Sequence, residues 1–136
     1  MNNTSSYSNV GEIRAAAILT ASYVVAKTFG VDKTEGPYGK DSTHLVLDYD
    51  FTKGSLTSVL IKVEYSVDNV DWFQHTSVAV SSGEGVTSLL EYSVAVSGKG
   101  SIAVPLINHP YLRVSAKANG TVTSSLLSLN AIFLKA

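Results

Sequence analysis

The stretch from Ser58 to Val80, SVLIKVEYSVDNVDWFQHTSVAV, decides the fold. Its first half alternates apolar and polar residues, which is the pattern of a half-buried β-strand. The apolar positions are Val59, Ile61, Val63 and Tyr65. The cluster from Val67 to Asp71 follows, and its Asp and Asn residues favour a hairpin turn because their side chains bond nearby backbone groups. We therefore predict a β-hairpin in which Tyr65 and Trp72 face a hydrophobic core.

The composition excludes several classes of protein. Charged residues make up only 15% of the 136 residues, and Ser and Thr are dense in nearly every segment. Such a surface suits a protein that packs against other proteins, although many secreted β-sandwiches share it. The net charge is −1 and no basic run occurs, so we expect no nucleic-acid partner. No cysteine is present, and the apolar runs are too short for a membrane span.

Alternating runs separated by turn residues continue along the chain and predict about eight β-strands with no helix of consequence. We expect an all-β fold, an antiparallel two-sheet sandwich with jelly-roll-like topology, and a closed barrel as the second choice. The sandwich is predicted over residues 12–136 as one domain. The predicted inward sets outside the opening stretch are Leu45, Leu47, Tyr49 and Phe51; Leu112, Val114 and Ala116; and Leu127, Leu129, Ala131 and Phe133.

Three local predictions follow from the turn residues. The first strand is placed from about Ala16 to Phe29, because that run is rich in β-branched and aromatic residues. Lys53-Gly54-Ser55 is predicted to join two paired strands, which would place Asp48 opposite Lys62 as an exposed ion pair. Asn119-Gly120 is predicted to form a type I′ hairpin turn.

Residues 1–11, MNNTSSYSNVG, are polar and nearly uncharged, and we predict an extended arm there. The longest predicted loop is Gly30 to Ser42, and long loops in compact domains are often functional. We expect this arm and this loop to contact partner proteins. The candidate contact residues are Asn3, Thr4, Tyr7, Asn9, Lys33, Glu35, Pro37, Tyr38 and Lys40.

No arrangement of residues predicts catalysis, so we expect no enzyme, no catalytic residue and no cofactor. The Asp68 to Asp71 turn offers too few oxygens for calcium. The three histidines, His44, His75 and His109, lie on different segments without a paired spacing, so no metal site is expected. Exposed tyrosines such as Tyr38 and Tyr111 leave open a sugar-stacking surface.

Two phrases resemble small virion proteins of tailed bacteriophages. The first is EYSVDNVDWFQ, Glu64 to Gln74, in which a strand ends in Tyr-Ser, an Asp/Asn turn follows and a Trp opens the next strand. The second is PYLRVSAKANGTVTSSLLSLNAIFLKA, Pro110 to Ala136, which is similar to their closing hairpin. The first phrase also occurs in sandwich domains of carbohydrate-active enzymes and adhesins.

The resemblance implies a non-enzymatic structural protein of a phage virion, a capsid decoration (cement) protein that binds and stabilises the major capsid protein shell. It implies the major capsid protein or other virion subunits as partners, and a homo-oligomer, with a trimer favoured. Such a protein is synthesised in the host cytoplasm and resides in the virion, with no membrane partner. The alternative is a carbohydrate-binding or adhesin-like β-sandwich module of a phage tail, a baseplate or a secreted protein.

Overall fold

The structure, a computed structural model, describes residues 7–30, 42–74, 76–81, 83–89, 91–106 and 110–135. These residues form eleven β-strands and no helix. The strands are β1 (Tyr7–Ile18), β2 (Val24–Gly30), β3 (Ser42–Thr52), β4 (Leu56–Ser66), β5 (Phe73–Gln74), β6 (Thr76–Ser81), β7 (Glu84–Leu89), β8 (Tyr92–Val94), β9 (Gly98–Pro105), β10 (Tyr111–Gly120) and β11 (Leu126–Lys135).

Nine of these strands form two antiparallel sheets that face each other across one core. Sheet A has the order β1-β11-β3-β9. Sheet B has the order β2-β10-β4-β5, and β8 also pairs with β4. The remaining strands, β6 and β7, pair only with each other as a separate two-stranded ribbon. The chain is therefore an all-β two-sheet sandwich, as its alternating pattern predicts.

The pairing of the strands is nested. The first strand of the fold pairs with the last, β1 with β11; β2 then pairs with β10, β3 with β9, and β4 with β5 and β8. This is the pairing of a long antiparallel hairpin that has been rolled into two sheets, which is the jelly-roll topology. Two further pairings, β11 with β3 and β10 with β4, join the rolled layers within each sheet.

The core contains the residues that the period-two pattern places inward. Within β4, the four alternating apolar residues of the opening stretch are all buried. The inward sets of β10 and β11 are buried as well, and in β3 only Tyr49 is half-buried. Phe29 of β2 and Phe133 of β11 meet edge to face across the two sheets, with ring centroids 5.1 Å apart. Burial of this apolar area is the main term that stabilises the sandwich.

Two connections predicted as hairpin turns instead cross between the sheets. Lys53 to Ser55 leads from β3 in sheet A to β4 in sheet B, and residues 121–125 lead from β10 in sheet B to β11 in sheet A. The two crossings bond each other, because Ser55 Oγ donates to the carbonyl of Thr121 at 2.7 Å and Ser125 Oγ donates to the carbonyl of Lys53 at 2.7 Å. The strands that flank a hairpin turn and those that flank a crossing show the same alternation of apolar and polar residues. The sequence pattern therefore does not distinguish a hairpin turn from a crossing.

The type I′ turn at Asn119-Gly120 is also wrong in detail. Gly120 has a positive φ of 112°, but the only non-glycine residues of the described chain with positive φ are Asn69 and Ser124. Asn119 instead lies in β10, and its amide donates to Ser58 Oγ at 3.1 Å.

The predicted ion pair between Asp48 and Lys62 does not form, because β3 and β4 lie in different sheets. Asp48 accepts a hydrogen bond from Ser101 of β9 on the outer face of sheet A. Lys62 lies on sheet B, 3.7 Å from Glu64 Oε1. The pair was inferred from a hairpin that the chain does not make.

The first predicted strand is in fact two strands in different sheets. β1 begins at Tyr7, and its residues Tyr7 to Gly11 pair with Leu134 to Ala131 of β11. This part of the predicted arm is therefore an edge strand of sheet A, while residues 1–6 lie outside the described residues. The strand is irregular, with register shifts on both sides of Glu12 and a positive φ of 89° at Gly11. Those bulges explain why no clean alternation marks it in the sequence.

The run from Trp72 to Val80, which follows the β4–β5 turn, does not form one strand. β5 ends at Gln74, the ribbon of β6 and β7 follows, and β8 returns to the same edge of β4. β5 and β8 together therefore form the fifth of the eight jelly-roll strands in chain order, and the ribbon interrupts it. The sequence reason is that neither face of the run from Trp72 to Val80 is uniformly apolar, so the run does not favour one continuous core strand.

Removing residues 1–11 is expected to lower the free energy of unfolding by about 2 kcal/mol. The truncation removes several net hydrogen bonds of the β1–β11 ladder, each contributing about 0.5–1.5 kcal/mol, and the half-buried Val10. Chemical denaturation of the truncated and full-length chains measures the difference, and Val10→Ala in the full-length chain isolates the packing contribution. Equal stability of both chains would show that the pairing of Tyr7 to Gly11 contributes nothing.

Candidate partner-binding surfaces

Most of the predicted partner-contact residues lie outside the described residues. Tyr7 and Asn9 are in β1, where they pair with Leu134 and Ile132. The others, Asn3, Thr4, Lys33, Glu35, Pro37, Tyr38 and Lys40, fall in residues 1–6 and 31–41. The candidate surfaces that follow are therefore built from other residues.

The β4–β5 turn has a defined geometry that comes from its own polar side chains. Ser66 Oγ accepts hydrogen bonds from the backbone N–H groups of Asp68 and Asn69, at 3.2 and 2.8 Å. Asp68 Oδ1 accepts from the N–H groups of Val70 and Asp71, both at 2.9 Å. Asn69 takes the left-handed conformation, with a φ of 62°. The Asp/Asn chemistry seen in the sequence therefore shapes the turn as predicted.

These bonds hold the pKa of Asp68 below its usual value, chiefly through the N–H groups of Asp71 and Val70. A carboxylate whose pKa is lowered by folding stabilises the fold above its unfolded pKa, and this contribution is lost as the pH falls through the folded pKa. Asp68→Asn should therefore melt at a lower temperature than the wild type near neutral pH. The gap should close as the pH falls below about 4, the region of the ordinary Asp pKa.

The control is Asp71→Asn, which removes the same formal charge from a side chain that is not the acceptor of those backbone bonds. Thermal melts from neutral to acidic pH compare the three proteins. A difference between wild type and Asp68→Asn that stays constant with pH would contradict this role of the carboxylate.

The same turn exposes three large apolar side chains, which we call the turn patch: Val67, Val70 and Phe73. Val70 is the extreme case, with 74% of its surface exposed. Asp68 and Asp71 lie between these apolar residues and form no ion pair with any described residue. The turn patch is therefore apolar at its surface and acidic in its surroundings.

Trp72 lies between Val70 and Phe73 in the sequence, and its predicted place in the core is wrong. Its side chain is half-buried and lies outside the hydrophobic core cluster. The guanidinium of Arg113 lies over the ring, 4.4 Å from its centroid, and Arg113 Nε also donates to Glu64 Oε1 at 2.9 Å. Tyr65, by contrast, is fully buried, and its hydroxyl donates to the carbonyl of Pro105 at 3.0 Å. Trp72 therefore covers a charged pair on the outer face of sheet B.

Tyr23 is a second aromatic residue on the outer face of sheet B. Lys62 and Lys117 lie 4.2 and 5.0 Å from the centroid of its ring, and its hydroxyl donates to Glu91. Burial, followed by the hydrogen bond and charge of Glu91, raises the pKa of Tyr23 above its usual value. Both rings on this face, Tyr23 and Trp72, are in contact with cations. They are therefore unsuited to serve as a flat, free platform for a sugar ring.

A second group of exposed apolar side chains lies where β1 ends and β2 begins. We call it the corner patch: Ile18, Val24, Val25 and Leu126. Ile18 and Leu126 are directly opposite each other in the β1–β11 pair. Arg14 donates to the carbonyl of Ile18 at 3.2 Å, and Lys117 lies beside the Ala116 that pairs with Val24. Arg14 forms no ion pair with any described carboxylate, whereas the Lys117 side chain lies over the Tyr23 ring on the outer face of sheet B.

The outer face of sheet A has a shallow polar groove of 460 Å³. Its lining includes Asp48, Asp50, Lys99, Ser128 and Asn130. Asp50 is opposite Lys99 in the β3–β9 pair, yet the two form no ion pair within 4.0 Å. The groove therefore presents both hydrogen-bond donors and acceptors, of which Ser101 and Asp48 are bonded to each other.

The carboxylates of Asp48, Asp50 and Glu64 do not form one group, because they lie on two different sheets. Asp48 and Asp50 are on sheet A, whereas Glu64 is on sheet B between Lys62 and Arg113. In the part of the chain that the structure describes, no three His, Asp or Glu residues are grouped to hold a metal ion. His75 and His109 lie outside that part. Among the residues that the structure describes, no helix is long and apolar enough to cross a membrane.

Comparison with known proteins yields no match: no family model, no curated protein and no solved structure matches the chain.

Proposed function

We propose that this protein is a non-catalytic structural subunit of a phage virion, a capsid decoration protein that binds the major capsid protein shell. The observation that supports it most is the placement of the large apolar side chains on a jelly-roll body. Of the eight exposed ones among the residues whose burial the structure describes, seven belong to the turn patch and the corner patch. Clustered exposed apolar residues with polar neighbours are typical of protein–protein interaction sites.

The ribbon of β6 and β7 is a second support. It pairs with neither sheet, and an isolated two-stranded ribbon is at best marginally stable in water. Its sequence from Thr76 to Leu89 has one charged residue, Glu84. Contact with another subunit would supply packing beyond the ribbon's own two-stranded ladder. We therefore assign the ribbon to the capsid-facing contacts, together with the predicted loop from Gly30 to Ser42.

The interrupted strand allows a direct test of the ribbon. Gln74 is opposite Glu64 and Tyr92 is opposite Ile61, so two residues would join β5 to β8 without a gap. Replacing residues 75–90 by a single valine keeps Glu91 opposite Lys62. The new valine then falls opposite Val63, on the inward face, so the alternation of the strand is preserved.

This ribbon-deleted chain should keep its jelly-roll fold and lose binding to capsids prepared without the decoration protein. Circular dichroism and thermal melting report the fold, and co-sedimentation with the capsids reports binding. The control is Val96→Ser, which changes an exposed residue outside both patches and should bind as the wild type does. A folded deletion variant that saturates capsids with wild-type affinity would remove the ribbon from the interface. A wild-type chain that never co-sediments would overturn the proposed function.

The groove on sheet A favours one second candidate, a carbohydrate-binding module. Its mixture of carboxylate, amide, hydroxyl and ammonium groups matches the donors and acceptors of a neutral saccharide. Titration with neutral oligosaccharides, followed by amide chemical shifts, should then perturb β3, β9 and β11, and Asp50→Asn should remove the effect. No shift at millimolar saccharide would rule this candidate out.

A further inference from the structure

The strand β9 is an edge of sheet A with an unbroken register. All 8 of its residues pair with β3, from Gly98 opposite Phe51 to Pro105 opposite His44, without a bulge. No other described strand pairs with its outer side. The other edges are irregular, because the β1–β11 and β10–β2 pairings contain register shifts and the ribbon interrupts the edge formed by β5 and β8. Among the described strands, β9 is therefore the edge best suited to accept a further strand.

Alternate residues of β9 direct their backbone groups away from β3. The N–H of Leu106 donates to the carbonyl of Thr43 at 3.0 Å, and the two residues are opposite each other when the β3–β9 register is continued. Bonded and non-bonded pairs alternate along an antiparallel ladder, so Gly100 and Ile102 also bond to β3. The intervening residues, whose N–H and C=O groups point outward, are called here the free edge: Lys99, Ser101 and Ala103.

Pro105 ends the free edge. It is the next residue in the alternation whose groups point away from β3, so its missing N–H removes no bond from the β3–β9 ladder. Its carbonyl already accepts a hydrogen bond from the Tyr65 hydroxyl at 3.0 Å. A further strand would therefore pair with the free edge and stop at the proline.

Tyr49 brings a side chain to the same edge. A Cβ at Gly100 would overlap the ring and hydroxyl of Tyr49, so the ring extends from β3 over that glycine of β9. The Tyr49 side chain is half-buried. It lies on the side of sheet A that faces sheet B, in the same alternating set as Leu47 and Phe51. A strand added at the free edge would therefore meet a phenol ring beside Gly100.

The free edge and the ribbon lie on the same side of the sandwich. The ribbon is inserted between β5 and β8, which form the edge of sheet B beyond β4. Residues 95–97 lead from β8 directly to β9, the corresponding edge of sheet A. A partner that contacts the ribbon would therefore have the free edge within reach.

Lys99 indicates which kind of strand fits this edge. It is opposite Asp50 in the β3–β9 pair, yet it forms no ion pair with any described residue. The sequence of β9, GKGSIAVP, contains no acidic residue, so a second copy paired edge to edge through β9 would supply no carboxylate to Lys99. A strand of another protein with an Asp or Glu at this level would supply one. The unpaired lysine therefore favours a foreign strand over a second copy.

We propose that the free edge receives an extended segment of a partner protein as a fifth strand of sheet A. The backbone groups of the free edge supply the main-chain hydrogen bonds, and Lys99 and Tyr49 select the side chains of the incoming segment, as in other proteins that bind a peptide by strand addition. The inference rests on the proposed function, in which the partner is the major capsid protein, and it names the mode of contact.

The first test compares two substitutions of one residue. Ser101→Pro removes a donor from the free edge and places a ring in the path of an added strand, but it removes no bond to β3. Ser101→Ala is the matched control, because both variants lose the bond from Ser101 Oγ to Asp48 and only the proline variant loses the N–H. In co-sedimentation, Ser101→Pro should bind capsids at least about tenfold more weakly than Ser101→Ala. Should Ser101→Pro melt early, Ala103→Pro replaces it.

Amide hydrogen exchange reads the same contact residue by residue. In the free protein, the N–H groups of the free edge should exchange rapidly, whereas those of Gly100 and Ile102, which donate to β3, should exchange slowly. On capsids, the N–H groups of the free edge should slow to the rate of their neighbours, because strand addition bonds these alternate groups. Contact through side chains alone would leave the alternation unchanged.

Three results would overturn the inference. They are free-edge amides that already exchange slowly in the protein alone, as a second copy on this edge would cause; an unchanged alternation in protein bound to capsids; and equal capsid binding by Ser101→Pro and Ser101→Ala.

A wild-type chain that never binds capsids would refute the proposed function alone. A displayed library of random linear peptides then decides the inference without capsids. Selected peptides should bind the wild type and Ser101→Ala but not Ser101→Pro, and they should slow exchange at the free edge. A library that yields no such peptide would overturn the inference as well.

Discussion

Phe133→Ala is expected to lower the free energy of unfolding by about 3–5 kcal/mol, the range for truncation of a large aromatic side chain in a core. Phe133 is completely buried in β11 and meets Phe29 edge to face across the sandwich. Its loss leaves a cavity between the two sheets and removes an aromatic contact that contributes beyond the buried area. Denaturant unfolding of the wild type and the variant measures the difference.

Trp72→Ala provides the comparison, since it removes a larger ring from a half-buried site on the outer face of sheet B. The variant loses the contact with Arg113, but it opens no core cavity, and the expected cost is about 1–2 kcal/mol. A Trp72 variant that is destabilised as much as Phe133→Ala would return Trp72 to the core. A Phe133 variant with near wild-type stability would contradict the packing of the two sheets.

Gly54→Ala is expected to cost about 3 kcal/mol, because two separate effects oppose a side chain there. Gly54 has a φ of 58°, and an L-residue in the left-handed conformation costs about 1–2 kcal/mol. A Cβ at this position would also overlap the backbone carbonyl of Thr123 in the neighbouring crossing, so one of the two crossings must shift.

Gly11→Ala separates these two effects. Gly11, in β1 of sheet A, also has a positive φ, 89°, but a Cβ there would meet no atom within 4 Å. Its variant should therefore lose only the conformational part, about 1–2 kcal/mol. Equal losses for the two glycine variants in thermal or denaturant unfolding would show that the crossings do not touch.

The class of fold could be predicted from the sequence because burial imposes a period of two on each strand. Every predicted inward residue of β4, β10 and β11 is buried. The β4–β5 hairpin could also be predicted, because the bonds that shape it are local to Ser66, Asp68 and Asn69. Local side-chain chemistry and alternation are properties that a single sequence displays directly.

The sheet to which each strand belongs could not be predicted in the same way. Gly54 suits a tight hairpin as well as a crossing, and only the contact with Thr123 in a segment far along the chain decides between them. A lone Trp beside an Asp-rich turn predicts a core position, but Arg113 on β10, which is separated from β5 by β4, decides its environment. The ribbon was missed because Gln74 and the residues after it alternate without a uniformly apolar face.

The candidate surfaces depend on the same long-range information. Val67, Val70 and Phe73 are neighbours in sequence, so the turn patch could have been found from the hairpin prediction. The corner patch brings Ile18 together with Leu126 through the β1–β11 pairing, which no local pattern indicates. The groove on sheet A likewise depends on the pairing of β3 with both β9 and β11.

The most direct test of the proposed function is electron cryo-microscopy of capsids prepared without this protein and then mixed with it. We expect additional density on the outer shell, into which the jelly-roll sandwich fits, with the ribbon of β6 and β7 against the capsid. The same capsids before mixing should lack that density. Folded protein in excess that leaves the shell unchanged would contradict the account.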